Sequence, residues 1–93
     1  METRVAIVAI VVENPDSIDR MNRILHEYRN YIIGRMGIPY PSRNISLISI
    51  AIDAPGNIIS ALSGKLGNVP GLSAKAVYSK TPDVKKEEES EHV

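Results

Sequence analysis

The chain has 93 residues, enough for one domain and too few for a second core. It is 43% apolar and 24% charged, as a folded globular protein is, and it has no cysteine, which excludes disulfides, thiolate metal sites and thiol nucleophiles. Formal charge is zero overall but divided: residues 1–80 carry nine Lys/Arg against six Asp/Glu, and residues 81–93 carry two against five, too weak and scattered a basic excess for a nucleic-acid surface.

Residues 5–12 form an unbroken apolar run rich in Val and Ile, the composition of a buried strand. Eight residues fall far short of the about 20 that a membrane helix needs, and no signal-peptide pattern accompanies them. A cytoplasmic location without membrane attachment is therefore the expectation. Asn14 can cap a first helix from the position before it, and Pro15 suits the first helical turn. Ile18, Met21, Leu25 and Tyr28 then recur at spacings of three and four, one apolar stripe. His26 is the one histidine of the first eighty residues. A metal site needs three or four converging ligands, so His26 reads as an ordinary helical residue and no metal or other cofactor is expected.

A second extended run follows at residues 31–38, carrying Gly34 and Gly37. Two glycines in a strand mark an edge strand with a bulge, or a place where a partner or an anion approaches beside Arg35. Residues 39–44, with Pro39 and Pro41, read as a loop. A third strand begins at Ile45. A second helix carries Ile58, Ala61 or Leu62, and Leu66, with Gly67 as its stop. The triplet Ser63-Gly64-Lys65 lies late in that helix and lacks the strand-to-helix context of a phosphate loop, and a lysine suits a helix C-terminus for dipole reasons alone. A fourth strand is expected at residues 72–79. The polar, acidic residues 81–93 cannot bury enough apolar surface to order themselves and read as a tail. The division is thus a folded domain at 1–80 and a disordered tail at 81–93.

The two halves repeat at an offset of 40. Val5, Val8, Ile10 and Val12 align with Ile45, Ile48, Ile50 and Ile52, Pro15 with Pro55, and Ile18 with Ile58. Two β-α-β units predict an α+β, ferredoxin-like βαββαβ sandwich. Its four-stranded antiparallel sheet has the order 4-1-3-2, with both helices on one face. Side chains alternate between the faces of a strand. The even set (Val8, Ile10, Val12, Ile48, Ile50, Ile52, then Met36 and Ala76) is bulkier and should face the helices. The odd set includes Ile7, Ala9, Val11, Leu47, Ser49 and Ala51, without one charge. Charge enters only at the edges, through Arg35 and Lys75. A sheet face open to water should alternate in polar residues. These six residues are therefore the expected interface of a homo-oligomer, a dimer or tetramer.

The strings GRMGIPY at 34–40, ISLISI at 45–50 and LSGKLG at 62–67 resemble the iron-only hydrogenase system regulators, over about residues 3–80. That family is similar to the ACT-like C-terminal domain of the nickel-responsive regulator, a ferredoxin-like fold that oligomerises. The resemblance implies a non-catalytic regulatory module connected with transcription, one that senses a small-molecule effector or binds a protein partner. It also places binding at the loop between strand 1 and helix 1, at Asn14, Pro15, Asp16 and Ser17, with Arg35 and Lys65 as anion-binding side chains. Capping explains the first four equally well, and the free N–H groups of a helix start could hold an anion there. The nickel regulator's DNA-binding segment and its histidine and cysteine ligands have no counterpart here, so neither direct DNA binding nor nickel binding is expected. The rival reading is a small enzyme of acylphosphatase-like fold, with Arg35 and Asn14 gripping an anionic substrate.

Overall fold

The computed structural model describes residues 2–80; the expected tail at 81–93 lies outside the described residues. Six elements follow one another: β1 (Arg4–Val12), α1 (Ile18–Glu27), β2 (Ile32–Tyr40), β3 (Ile45–Ala54), α2 (Gly56–Gly67) and β4 (Leu72–Tyr78). The strands form one antiparallel sheet in the order β2-β3-β1-β4. This is the ferredoxin-like βαββαβ arrangement, and the expected strand order holds.

The core lies between the sheet and the two helices. Val8, Ile10 and Val12 of β1 and Ile48, Ile50 and Ile52 of β3 are buried beneath Met21 and Leu25 of α1 and Ile59, Leu62 and Leu66 of α2. Complete burial of a Leu or Ile stabilises the fold by about 1.5–3 kcal/mol. The helix α2 resolves the choice left open by its sequence: Leu62 is buried and Ala61 exposed, and Ile59 lies deeper than Ile58. Tyr28, at the end of the α1 stripe, closes the core at 8% exposure.

The chain departs from its expected boundaries at turns. Pro15 opens a single 3-10 turn, Pro15–Ser17, before α1 begins. Pro55 stands just outside α2 as its cap, one residue before the expected place. Gly67 is the last helical residue, and the chain leaves through Asn68 in a right-handed conformation. The glycine that needs its freedom is Gly71, with φ of 87°. Strand β2 runs on through Pro39 to Tyr40. Proline is tolerated there because β2 is an edge strand, whose outer N–H groups have no partner to lose. The loop then shrinks to one 3-10 turn, Pro41–Arg43, closed by Asn44 in the left-handed conformation with φ of 57°.

One irregularity changes which side chains face where. Ile32 pairs with Ile52, but Gly34 pairs with Ala51, so Ile33 is an extra residue in β2. Such a bulge shifts the alternation of every residue after it. The expectation that Met36 faces the helices is therefore wrong: Met36 pairs with Ser49 on the open face and is 67% exposed. Arg35 is turned the other way. It pairs with Ile50 on the helix side and donates from Nη2 to Asn22 Oδ1 of α1 at 2.9 Å. Before the bulge the expected parity holds, and on β4 Ala76 lies beside Val8 as expected.

Candidate interaction face

The side of the sheet away from the helices is laid out by the strand register. In the first row Gly34, Ala51, Ile7 and Val77 lie side by side across the four strands. The second row is Met36, Ser49, Ala9 and Lys75. The third is Ile38, Leu47, Val11 and Ser73. Val5 and Asp53 lie beyond the first row. Six of the large side chains on this face, Val5, Ile7, Met36, Ile38, Leu47 and Val77, are between 43% and 67% exposed. Lys75 is the one charge in the three rows, at the β4 edge. A shallow depression of about 260 Å³ is lined by Ile7, Gly34, Arg35, Met36, Ser49 and Ala51.

With the small residues between them, these side chains make one contiguous apolar surface with charge only towards its margins, the pattern of an interaction site. The six interface residues expected from the sequence, Ile7, Ala9, Val11, Leu47, Ser49 and Ala51, all lie on this face. Sequence reasoning missed its β2 flank, Met36 and Ile38. The signal was present in Gly34 and Gly37, which marked the strand as irregular without fixing the position of the extra residue.

The corner between β1 and α1 is built differently. Asn14 Oδ1 accepts from Asp16 N at 3.0 Å and caps the 3-10 turn. Ser17, 5% exposed, donates its hydroxyl to the Pro70 carbonyl. Glu13 N donates to Gly71 O at 2.7 Å. The polar atoms of Asn14 and Ser17 thus hold this corner against the loop before β4. Pro15 also lines a small cleft of about 210 Å³ with Val12, Ile18, Tyr40 and Pro41. That is below the roughly 300–1,000 Å³ usual for a small-molecule site.

The other two expected anion contacts lie elsewhere. Lys65 donates to Glu27 Oε1 at 3.3 Å, in a shallow cleft between the helices that also holds Arg20 and Arg23. Its ammonium is held above the ordinary lysine value, first by the Tyr28 hydroxyl and then by the Glu27 carboxylate. Its Nζ also lies 5.2 Å from the centre of the Tyr28 ring. Arg35 sits in a separate groove with Asn22, His26 and Arg29. Pro15, Arg35 and Lys65 line three different clefts and do not converge. The Arg20–Arg23 pair beside Lys65 was not singled out from the sequence, although its three-residue spacing on a helix carried the signal.

Among the described residues, no group of three or more His, Asp or Glu is placed to hold a metal ion, and no helix is long and apolar enough to cross a membrane.

Comparison with known proteins gives the chain its relatives. A solved structure of an uncharacterized protein from Thermotoga maritima, TM1266, is 34% identical and superimposes with a TM-score of 0.81. The match covers 85% of this chain and 100% of that one. No curated protein matches. The model of the TM1266-like family, described as "Iron-only hydrogenase system regulator, putative", matches residues 4–76. The chain therefore belongs to the TM1266-like family, the one its GRMGIPY and LSGKLG strings resemble.

Proposed function

We propose that this protein is a non-catalytic regulatory module of the iron-only hydrogenase system and that it works in the cytoplasm by binding through its open sheet face. The observation that carries the reading is the face itself. An enzyme of this size would concentrate polar and titratable groups in one concavity. Here the open face is apolar and shallow, charged only at Asp53 beyond its first row and at Lys75 on its β4 edge, and the titratable groups are divided between separate clefts. The family supports the regulatory process, and the face supports binding as the means. A small effector is the weaker version, because the cleft beside Asn14–Ser17 is small and the polar atoms of Asn14 and Ser17 are engaged within the fold.

The test is made in a cell that expresses an iron-only hydrogenase. Leu47→Glu places a charge in the middle of the face without touching the core. It should abolish the effect of this protein on hydrogenase level while the purified variant keeps its helical and sheet signal. Turnover of an acyl phosphate by the wild type, lost in Arg35→Ala, would overturn the reading in favour of an enzyme. A thermal-shift screen of amino acids, nucleotides and metal ions measures the effector version: a ligand binding only the folded state adds about 2.7 kcal/mol at 100 times its dissociation constant.

A further inference from the structure

The cleft between the two helices collects charge of one sign. Arg20 and Arg23 of α1 and Lys65 of α2 line it together with Ile24, Glu27 and Asn68, around a volume of about 580 Å³. Carboxylates stand at the spacing of a helical ion pair on either side of Arg23, at Asp19 and Glu27. Arg23 takes neither. Among the described residues no hydrogen bond or ion pair engages Arg20 or Arg23, and Glu27 pairs with Lys65 across the cleft instead, at 3.3 Å. That pair and the Tyr28 ring, 5.2 Å from Nζ, fix the lysine in place. One carboxylate against three cations leaves two positive charges uncompensated in one concavity. Arg20 and Arg23 are three residues apart on a helix, so their like charges are neighbours and gain nothing from each other within the chain.

We propose that this cleft binds a small phosphate monoester, the chemical class of the nucleoside monophosphates. The guanidinium forks of Arg20 and Arg23 take the phosphate oxygens in pairs, the geometry that favours arginine for phosphate. Lys65 adds a point charge from the facing helix, and Asn68 a neutral amide. A monoester carries close to two negative charges at neutral pH, the number left uncompensated here. The cleft is larger than a phosphate group and falls within the roughly 300–1,000 Å³ of small-molecule sites. The remainder of the ligand has room against the half-buried side chain of Ile24. The site goes beyond the binding function of the open face, because it lies on the helix side of the sheet. It also differs from the Asn14 corner, whose polar atoms are spent within the fold.

The test is a proton–nitrogen NMR titration of the full chain with AMP, at low salt so that exposed charges are not screened. Saturating shifts should appear at the amides of residues 20–27 and 64–68, with a dissociation constant of about 1 mM or tighter. Adenosine, which lacks the phosphate, should give none, and succinate, a dianion without the tetrahedral group, should bind more weakly. Arg20 and Arg23 are exposed, so the Arg20→Gln/Arg23→Gln variant keeps the fold and should bind AMP roughly tenfold more weakly. Arg43→Gln, outside the cleft, and Leu47→Glu, on the open face, should bind as the wild type does. The Leu47→Glu result separates this site from the reading of that face: either fails without the other. Several results would overturn the proposal: no saturation by about 10 mM AMP, equal binding of adenosine or succinate, or equal losses in the Arg43→Gln and Arg20→Gln/Arg23→Gln variants. Capture of the chain on phosphatidic acid vesicles, whose headgroup is the same monoester, without binding of AMP would overturn the small ligand in favour of a membrane surface.

Discussion

The glycine whose replacement this structure tolerates least lies outside every strand and helix. Gly71 has φ of 87°, and a Cβ there would fall 2.6 Å from Asn14 Cβ and 2.7 Å from Ser17 Oγ. Both neighbours are fixed by their own hydrogen bonds. Gly71→Ala should lower stability by about 2–4 kcal/mol, read from urea unfolding, whereas Gly34→Ala should change it by less than about 1 kcal/mol. Ser17→Ala leaves the Pro70 carbonyl short of a donor in a half-buried corner and should cost about 1–3 kcal/mol. Equal effects of Gly71→Ala and Gly34→Ala would contradict this account of the corner. Lys65 behaves differently because it is exposed. With its titration raised above 10.5, any stability from Tyr28 and Glu27 is present below that value and lost only as the pH rises through the folded-state value. The melting-temperature difference between wild type and Lys65→Met should therefore stay constant between about pH 6 and pH 9. A difference that changes across that range would assign Lys65 another partner.

At the scale of elements, the bulge at Ile33 decides what the molecule shows to its surroundings. Deleting Ile33 would restore strict alternation in β2 and turn the strand over. Met36 and Ile38 would enter the helix layer, and Arg35 would lose Asn22 and move onto the apolar face. We expect loss of several kcal/mol and rapid amide exchange throughout residues 34–40. Unchanged protection of β2 would show that the register is set elsewhere. Within α2, Leu62→Ala should cost about 2–5 kcal/mol, the usual range for a fully buried leucine. The elements were largely legible in the sequence because their apolar periods are clean. The β1 and β3 parity follows directly from the alternation of residues 5–12 and 45–52. The bulge was not legible, because glycine signals irregularity but register is a property of two strands at once. The end of α2 at Gly67 was legible, but the backbone by which the chain leaves it was not. Gly67 looks like a helix stop, but the left-handed glycine is Gly71, where the loop must pass close to Asn14.

At the scale of the whole molecule, one face of the sheet makes the core and the other is left apolar. The first half of that statement was readable from the even-numbered residues of β1 and β3. The second half was readable from their odd-numbered residues, although its β2 flank waited for the register. The expected anion contacts were the least legible part. Asn14, Arg35 and Lys65 have suitable chemistry, but their distances apart are set by the fold, which uses Asn14 as a cap and places Arg35 and Lys65 in separate clefts. The central claim is that the open face of the sheet is the binding surface. Because the chain has no cysteine of its own, single cysteines report on it cleanly. Met36→Cys carrying a photoactivatable cross-linker, illuminated in a cell that expresses an iron-only hydrogenase, should form a covalent adduct that Leu47→Glu abolishes. Adduct formation that Leu47→Glu leaves unchanged, or no adduct at Met36→Cys, would contradict the account.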